Sequence, residues 1–352
     1  MSFNTQIEKL EPFRLEPRFV ERIWGTSDLR PWYDYVADGT SGHDPIGEVW
    51  LTGDECRVST GRLAGMTLGE VFSRHSAAML GTEVPETVQG ASPLLMKVIF
   101  AREKLSVQVH PDDRLAQKYG QPRGKTECWY ALAAEPGAEV AAGLRAGVTL
   151  AQVEAEVADG TLESSLEILP VKAGDLVFVD AGTVHAIWPG SVLLETQQNS
   201  DITYRLFDYG RPRELHVTKA LEAIRLQTHA GKVASQEIAG DRTVLVDSDY
   251  FRVEKVVVDG VRNSSSLNHQ QVASTSSNLG PNCDGLQYLF AGKGAGRISA
   301  IEPNAFQAVD LPSRGIVAIP ASSPAWRVED LGGLELVRIT PSWPASGITP
   351  GI

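Results

Sequence analysis

The sequence predicts a mainly β protein, built as two jelly-roll units with a few short helices. Three observations point there. The 352 residues include 33 glycines and 20 prolines, which cut the chain into many short segments. The stretch from Leu105 to Pro111 alternates apolar and polar side chains with the two-residue period of a strand. A weak internal repeat relates Gly174-Asp175-Leu176-Val177-Phe178-Val179-Asp180-Ala181 to Gly315-Ile316-Val317-Ala318-Ile319-Pro320-Ala321. The first copy leads to His185. The second leads through Ser322, Ser323 and Pro324 to Trp326, which cannot ligate a metal. Two copies of one β unit, one with a site and one without, account for this.

The elements follow in order. Arg18 to Gly25 reads as a strand running into a glycine turn, and Ile46 to Leu51 as a strand carrying an acid, Glu48, inside an apolar run. Thr67-Leu68-Gly69-Glu70 is a capping box that opens a helix to about Leu80. Pro93 to Phe100 is an apolar strand interrupted by Lys97. The alternating strand follows and stops at the turn signal Pro111-Asp112-Asp113. Gly124 to Leu132 begins as a loop and becomes a strand. Thr149 to Gln152 is a second capping box, with a helix to about Ala158. Strands are expected at 171–179, 192–196 and 202–207, and a tight turn leads to His185. A short helix is expected from Thr218 to Leu226. The stretch 259–284, rich in Ser, Asn and Gly, predicts long loops, and strands return at 287–294 and 315–321.

Composition narrows the function classes. A length of 352 residues suits two domains. The formal charge of −12 argues against nucleic-acid or anionic-membrane partners, so an anionic substrate requires a local basic pocket. Cys56, Cys128 and Cys283 are widely spaced, without a CxxC pair, as suits a reducing cytoplasm. Met1 to Phe13 lacks an apolar core of signal-peptide length, so a soluble cytoplasmic protein is expected.

Four side chains are candidates to surround one metal: Gln108, His110, Glu127 and His185. Imidazole and carboxylate suit Zn²⁺, with Mn²⁺, Fe²⁺ or Co²⁺ as alternatives. One carboxylate among neutral ligands leaves the cation little neutralised, and therefore a useful Lewis acid. Strand alternation puts Cys128 on the opposite face from Glu127, so one of the two points away from the site; we assign Glu127 inward and Cys128 to the core. The remaining histidines (His43, His75, His216, His229, His269) lack strand-end placement and read as ordinary residues. Lys97 reads either as an edge lysine reaching water or as the partner of an anion or carboxylate. Lys125 shares the face of Glu127. Arg205 is another charge in a strand, and its ordinary structural reading is a salt bridge to Glu195 or Asp208.

Several blocks, in order, resemble the type I phosphomannose isomerase family in its short bacterial form, within the cupin superfamily. They are Ile46 to Trp50, Pro93 to Lys97, Leu105 to Asp113, Gly124 to Tyr130, Ala181 to Ile187 and Glu195 to Arg205. The likeness runs from about Pro17 to Pro212 and loosens beyond. It departs from the family pattern at Trp50-Leu51-Thr52 and at Trp188-Pro189. The resemblance implies a double cupin: a metal-binding catalytic domain over 1–240 with helical insertions, and a degenerate domain without a metal site over 241–352. It implies one Zn²⁺ per chain on Gln108, His110, Glu127 and His185. It also implies active-site polar residues Lys97, Ser106, Lys125, Glu195 and Arg205, in a monomer or homodimer.

The implied activity interconverts mannose 6-phosphate and fructose 6-phosphate through an enediolate. Glu195 and a metal-bound water are the candidates for the base. Arg205 steadies the enediolate, and Lys97, Lys125 and Ser106 contact phosphate or hydroxyls, with Lys125, Glu195 and Arg205 as the catalytic set. The alternatives weighed are a non-catalytic sugar-phosphate-binding cupin and a metal-dependent oxygenase or decarboxylase. Gln108, where oxygenase sites place a histidine, weighs against the oxygenase.

Overall fold

The computed structural model describes residues 7–37, 45–82, 84–85, 88–263 and 285–343. His43 and the segment 264–284, with His269 and Cys283, lie outside the described residues; of the stretch 259–284 expected to form loops, Val261–Asn263 is instead a strand paired with Trp326–Asp330. Strands dominate, with four α-helices among the described residues. Backbone contacts group the chain into two units. One holds Arg18–Trp50 and Leu94–Ala234. The other holds Met1–Pro17, Leu51–Pro93 and Ser235–Ile352. This grouping assigns residues 1–17 and 51–93 to the C-terminal strands rather than to the segment before residue 240.

In the unit 18–50/94–234, a seven-stranded antiparallel sheet runs Gly231–Lys232, Leu176–Val179, Glu127–Ala134, Ser191–Gln198, Leu94–Ala101, Ile46–Trp50, Arg18–Thr26. A five-stranded sheet runs Tyr204–Phe207, Val107–Val109, His185–Ile187, Glu139–Leu144, Leu166–Pro170. Apolar residues of both sheets, among them Ile99, Trp129 and Leu193 of the first and Val140, Ala142 and Ile187 of the second, form one buried cluster. The core therefore lies between the sheets.

The alternating strand is shorter than the pattern suggested, spanning only Val107–Val109. Leu105 precedes it and joins the inner cluster, whereas Val107 and Val109 point outward. That outer face is covered by the helices Leu150–Asp159 and Val217–Ala223 through Val153, Ala220 and Ala223. The strand is thus buried on both sides, with its polar face turned to the interior. Pro111-Asp112-Asp113 does more than turn the chain. The Asp112 side chain accepts from Leu115 N and caps a short helix, Asp113–Lys118.

The other unit repeats the plan. Its seven-stranded sheet runs Phe13–Leu15, Ile316–Ile319, Gln287–Lys293, Glu335–Pro341, Phe251–Val257, Arg242–Asp247, Gln236–Ala239, and its four-stranded sheet runs Val261–Asn263, Trp326–Asp330, Gly296–Ala300, Val309–Leu311. The two stretches of the sequence repeat, Leu176–Val179 and Ile316–Ile319, are each the second strand of their large sheet. Registers match as well. His185 faces Ala142 and Ile187 faces Val140, while Trp326 faces Ala300 and Val328 faces Ile298. Lys97 faces Glu195, which faces Trp129; Glu254 faces Arg338, which faces Leu289. A buried lysine–glutamate pair in one unit is thus answered by a buried glutamate–arginine pair in the other, with the signs exchanged. Gln287 stands where Glu127 does and accepts from Arg338 Nε at 2.9 Å.

The first capping box forms as read: Thr67 accepts from Glu70 N and Glu70 reaches back to Thr67 N, opening the helix Leu68–Leu80. Thr149 likewise caps Leu150–Asp159. The last helix, Val217–Ala223, stops short of the expected Leu226. No helix among the described residues is long and apolar enough to cross a membrane.

Candidate metal centre

Both sheets of the unit 18–50/94–234 contribute to one buried polar cluster. On the five-stranded sheet, Gln108 faces His185 on one side and Arg205 on the other. Antiparallel partners share a face, so the three side chains stand in a row. His110 follows directly after the strand Val107–Val109, its carbonyl held by Gly182 N at 2.8 Å. On the seven-stranded sheet, Trp50, Lys97, Glu195 and Trp129 form a second row, and Glu127 lies two residues before Trp129 on the same face.

His110, Glu127 and His185 are fully buried, and one ligand atom from each lies within 4.8 Å of the others. Glu127 is 3.4 Å from His110 Nε2 and 3.6 Å from His185 Nε2. Gln108 Nε2 lies 3.2 Å from His185 Nε2 and 3.5 Å from His110 Nε2, so the amide completes the group. Its Oε1 accepts from Ser106 Oγ at 3.0 Å. A half-turn of the amide exchanges these roles, because the serine hydroxyl can accept as readily as donate. His185 Nδ1 donates to Thr183 O at 2.9 Å, leaving the Nε2 lone pair toward the cluster.

The donor set fits a divalent cation. Both Glu127 carboxylate oxygens are buried, with the Lys125 cation beside them and the two imidazoles next nearest. Burial, then the charge of Lys125, pushes His110 down to about 3, and burial lowers His185, so both rings are neutral at physiological pH. Burial alone would raise Glu127, but Lys125 and His110 beside it hold the carboxyl well below its usual range. The Lys125 ammonium itself lies among these groups, 2.5 Å from Glu127 and 3.0 Å from His110 Nε2. The position already favours positive charge.

Beyond the cluster the charges alternate. Lys125 is 3.8 Å from Glu195, Glu195 is 2.9 Å from Lys97, Lys97 is 3.5 Å from Glu48, and Glu48 is 2.8 Å from Arg22. Lys97 is buried, with its side chain 4% exposed, so it does not reach water. Of its two readings the structure has the carboxylate partner. Burial opposes its charge, but Glu195 and Glu48 raise its pKa. Burial, then the charge of Glu127, raises the Glu195 carboxyl. Trp129 Nε1 donates to Glu195 at 3.2 Å, and Trp50 Nε1 donates to Glu48 at 2.8 Å.

Arg205 departs from expectation. Asp208 is taken by Arg213 and Arg211, and Glu195 by the two lysines. Arg205 has no ion-pair partner among the described residues, and its Nε is buried without an acceptor. Cys128, on the opposite face from Glu127, is buried and its thiol is pushed up by that burial. All nine expected site residues lie in this one unit. Glu48 and Trp129 join them without having been singled out as site residues. The acid within an apolar run was the visible signal for Glu48.

The family model for the phosphomannose isomerase type I catalytic domain matches residues 12–160. A Bacillus subtilis (strain 168) protein described as a probable mannose-6-phosphate isomerase is 37% identical over 265 residues, covering 71% of this chain and 80% of that one. A mannose-6-phosphate isomerase of Streptococcus mutans is 34% identical, covering 75% and 82%. The chain belongs to the type I phosphomannose isomerase family. The crystal structure of the Bacillus subtilis mannose 6-phosphate isomerase superposes with a TM-score of 0.77 at 28% identity, covering 94% of this chain and 99% of that one. A second isomerase of this fold, solved with zinc and yttrium bound, gives 0.67 at 16% identity, with coverage of 95% and 100%. The mainly β, cupin-like reading of the sequence agrees with these relatives.

Proposed function

We propose that the chain is an aldose–ketose isomerase that interconverts mannose 6-phosphate and fructose 6-phosphate. The convergence of His110, Glu127 and His185, with Gln108 beside them, carries this reading. These four residues would hold one divalent ion, and zinc suits two imidazoles, a carboxylate and an amide oxygen. When bound, the ion supplies Lewis-acid stabilisation of negative charge developing on the sugar oxygens. Lys125 stands against two of these residues, so an ion would compete with its ammonium, and the Gln108 amide would present its oxygen in the flipped orientation that Ser106 can also satisfy.

The chain's own residues do the rest. Glu195 carries a proton between C1 and C2, and its raised pKa makes it a stronger base than a free carboxylate. Lys97 and Lys125 flank it as buried positive charges that would stabilise the enediolate with little solvent reorganisation. The Arg205 guanidinium, with no carboxylate of its own, is available to a substrate anion. Gln108 and Arg205 are only partly buried, which supports a substrate approach from their side of the cluster. Sugar-phosphate recognition by so acidic a chain depends on this local concentration of lysine and arginine.

The test is a coupled assay with zinc-loaded protein across several aldose phosphates. Turnover of mannose 6-phosphate above the others supports the reading. Full metal occupancy with no isomerisation of any of them would reject it.

A further inference from the structure

We propose that His216 is a positioning residue for Arg205, clamping the outer edge of its strand so that the guanidinium meets the substrate at one fixed place. The inference rests on Arg205 acting at the substrate, as read above. Tyr204–Phe207 is the edge strand of the five-stranded sheet, so outward backbone groups there have no neighbouring strand. His216 supplies both missing partners. Its Nδ1 accepts from the Arg205 N–H at 3.3 Å, and its own N–H donates to Arg205 O at 2.8 Å.

With its N–H and C=O turned outward, Arg205 faces Gln108 as a non-hydrogen-bonded pair. Such pairs bring Cα atoms to about 4.5 Å and side chains closer than in the alternate pairs. Pairing to the Val107–Val109 strand shifts register between Arg205 and Phe207, so the ladder does not fix Arg205 from that side.

The clamp is itself held. The His216 ring lies 6.1 Å from Tyr204, its Nε2 is 3.8 Å from Glu214, and the His216 carbonyl accepts from Ala220 N at 2.8 Å in the first turn of Val217–Ala223. Arg205 needs such support because it has no ion pair to orient it, and burial together with nearby Arg213 disfavours its charge.

Three substitutions test the clamp. His216→Ala removes the ring acceptor and keeps the backbone N–H. His216→Asn keeps an acceptor oxygen close to where Nδ1 stands, whereas His216→Gln sets its acceptor one bond farther out. The expected result is a fall in kcat/KM on the order of 10- to 100-fold for the Ala and Gln variants, with zinc content unchanged and most of the rate retained by Asn. In an Arg205→Ala background, His216→Ala is expected to add no further loss. Should His216→Ala fail to fold, the Asn and Gln variants carry the comparison.

Equal losses for Asn and Gln, or the same fold-loss with and without Arg205, would overturn the clamp. So would full activity in His216→Ala when Arg205→Ala is inactive. Full activity in Arg205→Ala alone would remove the reading of Arg205 first, and the clamp with it.

Discussion

Lys125 is the residue on which the candidate centre turns. Its ammonium touches two of the four proposed ligands and so competes with any cation that binds there. Lys125→Met is expected to bind zinc more tightly, on the order of 10-fold or more, while losing most activity. Competition against a chromogenic chelator, run beside the coupled assay, checks both halves. His110 sets a pH dependence in the metal-free protein. Its pKa falls from 6.5 to about 3 on folding, so below 6.5 the unfolded chain takes up a proton that the folded chain refuses. The stability involved is complete above pH 6.5 and is lost as pH falls toward 3, by up to about 1.4 kcal/mol per pH unit. Urea midpoints between pH 7 and pH 5 should therefore drop more steeply for the wild type than for His110→Gln. Residue type and strand-end placement made Gln108, His110, Glu127 and His185 candidates for one group, and the ordered family blocks supplied the rest of the case, because spacing across three strands is a weak signal by itself. That Arg205 makes no ion pair among the described residues was not legible, because loop geometry decides that Asp208 goes to Arg211 and Arg213. Nor was His216, whose contact is to backbone and leaves no mark in side-chain pattern.

Among the elements, the loop that delivers Lys125 and Glu127 leans on a glycine. A Cβ at Gly124 would stand 2.4 Å from the Asp112 carbonyl carbon and 2.5 Å from Pro111 O. Because the obstacle is backbone, the loop itself would have to move. Gly124→Ala is expected to cost about 1–3 kcal/mol and to lower kcat, read by denaturant titration and assay. The cap of Leu68–Leu80 is a milder case. Thr67→Ala removes one half of a reciprocal pair and should cost about 1 kcal/mol with activity unchanged. These caps could be read from sequence because the motif is local and its chemistry fixed. Asp113–Lys118 could not, since an aspartate after proline reads equally as a turn and as a helix cap. Phe251–Val257 was hidden for another reason. Arg252 and Glu254 lie on its inward face, where apolar residues are expected, and their charges are satisfied by each other and by Asp247 and Arg338 on neighbouring strands.

At the scale of the molecule, the two units share one plan and differ in how their interiors are filled. Metal binding should stabilise the whole chain measurably. Zinc at 100 times its dissociation constant adds about 2.7 kcal/mol, so a chelator should lower the melting temperature and zinc should restore it. An unchanged melting curve would count against a bound ion. Among the described residues of the companion unit, the corresponding positions hold no such set of ligands. Where the first unit sets Glu127, the second has Gln287 occupied by Arg338, and where the first has His185 the second has Trp326. Arg338 is also joined to Glu254 at 2.7 Å, so the space is closed by a cation the chain makes for itself. Putting histidine back at 326 would therefore recruit nothing. Making room there calls for replacing Arg338 and Glu254 together, because removing either one alone breaks a buried ion pair and leaves the other charge in the interior.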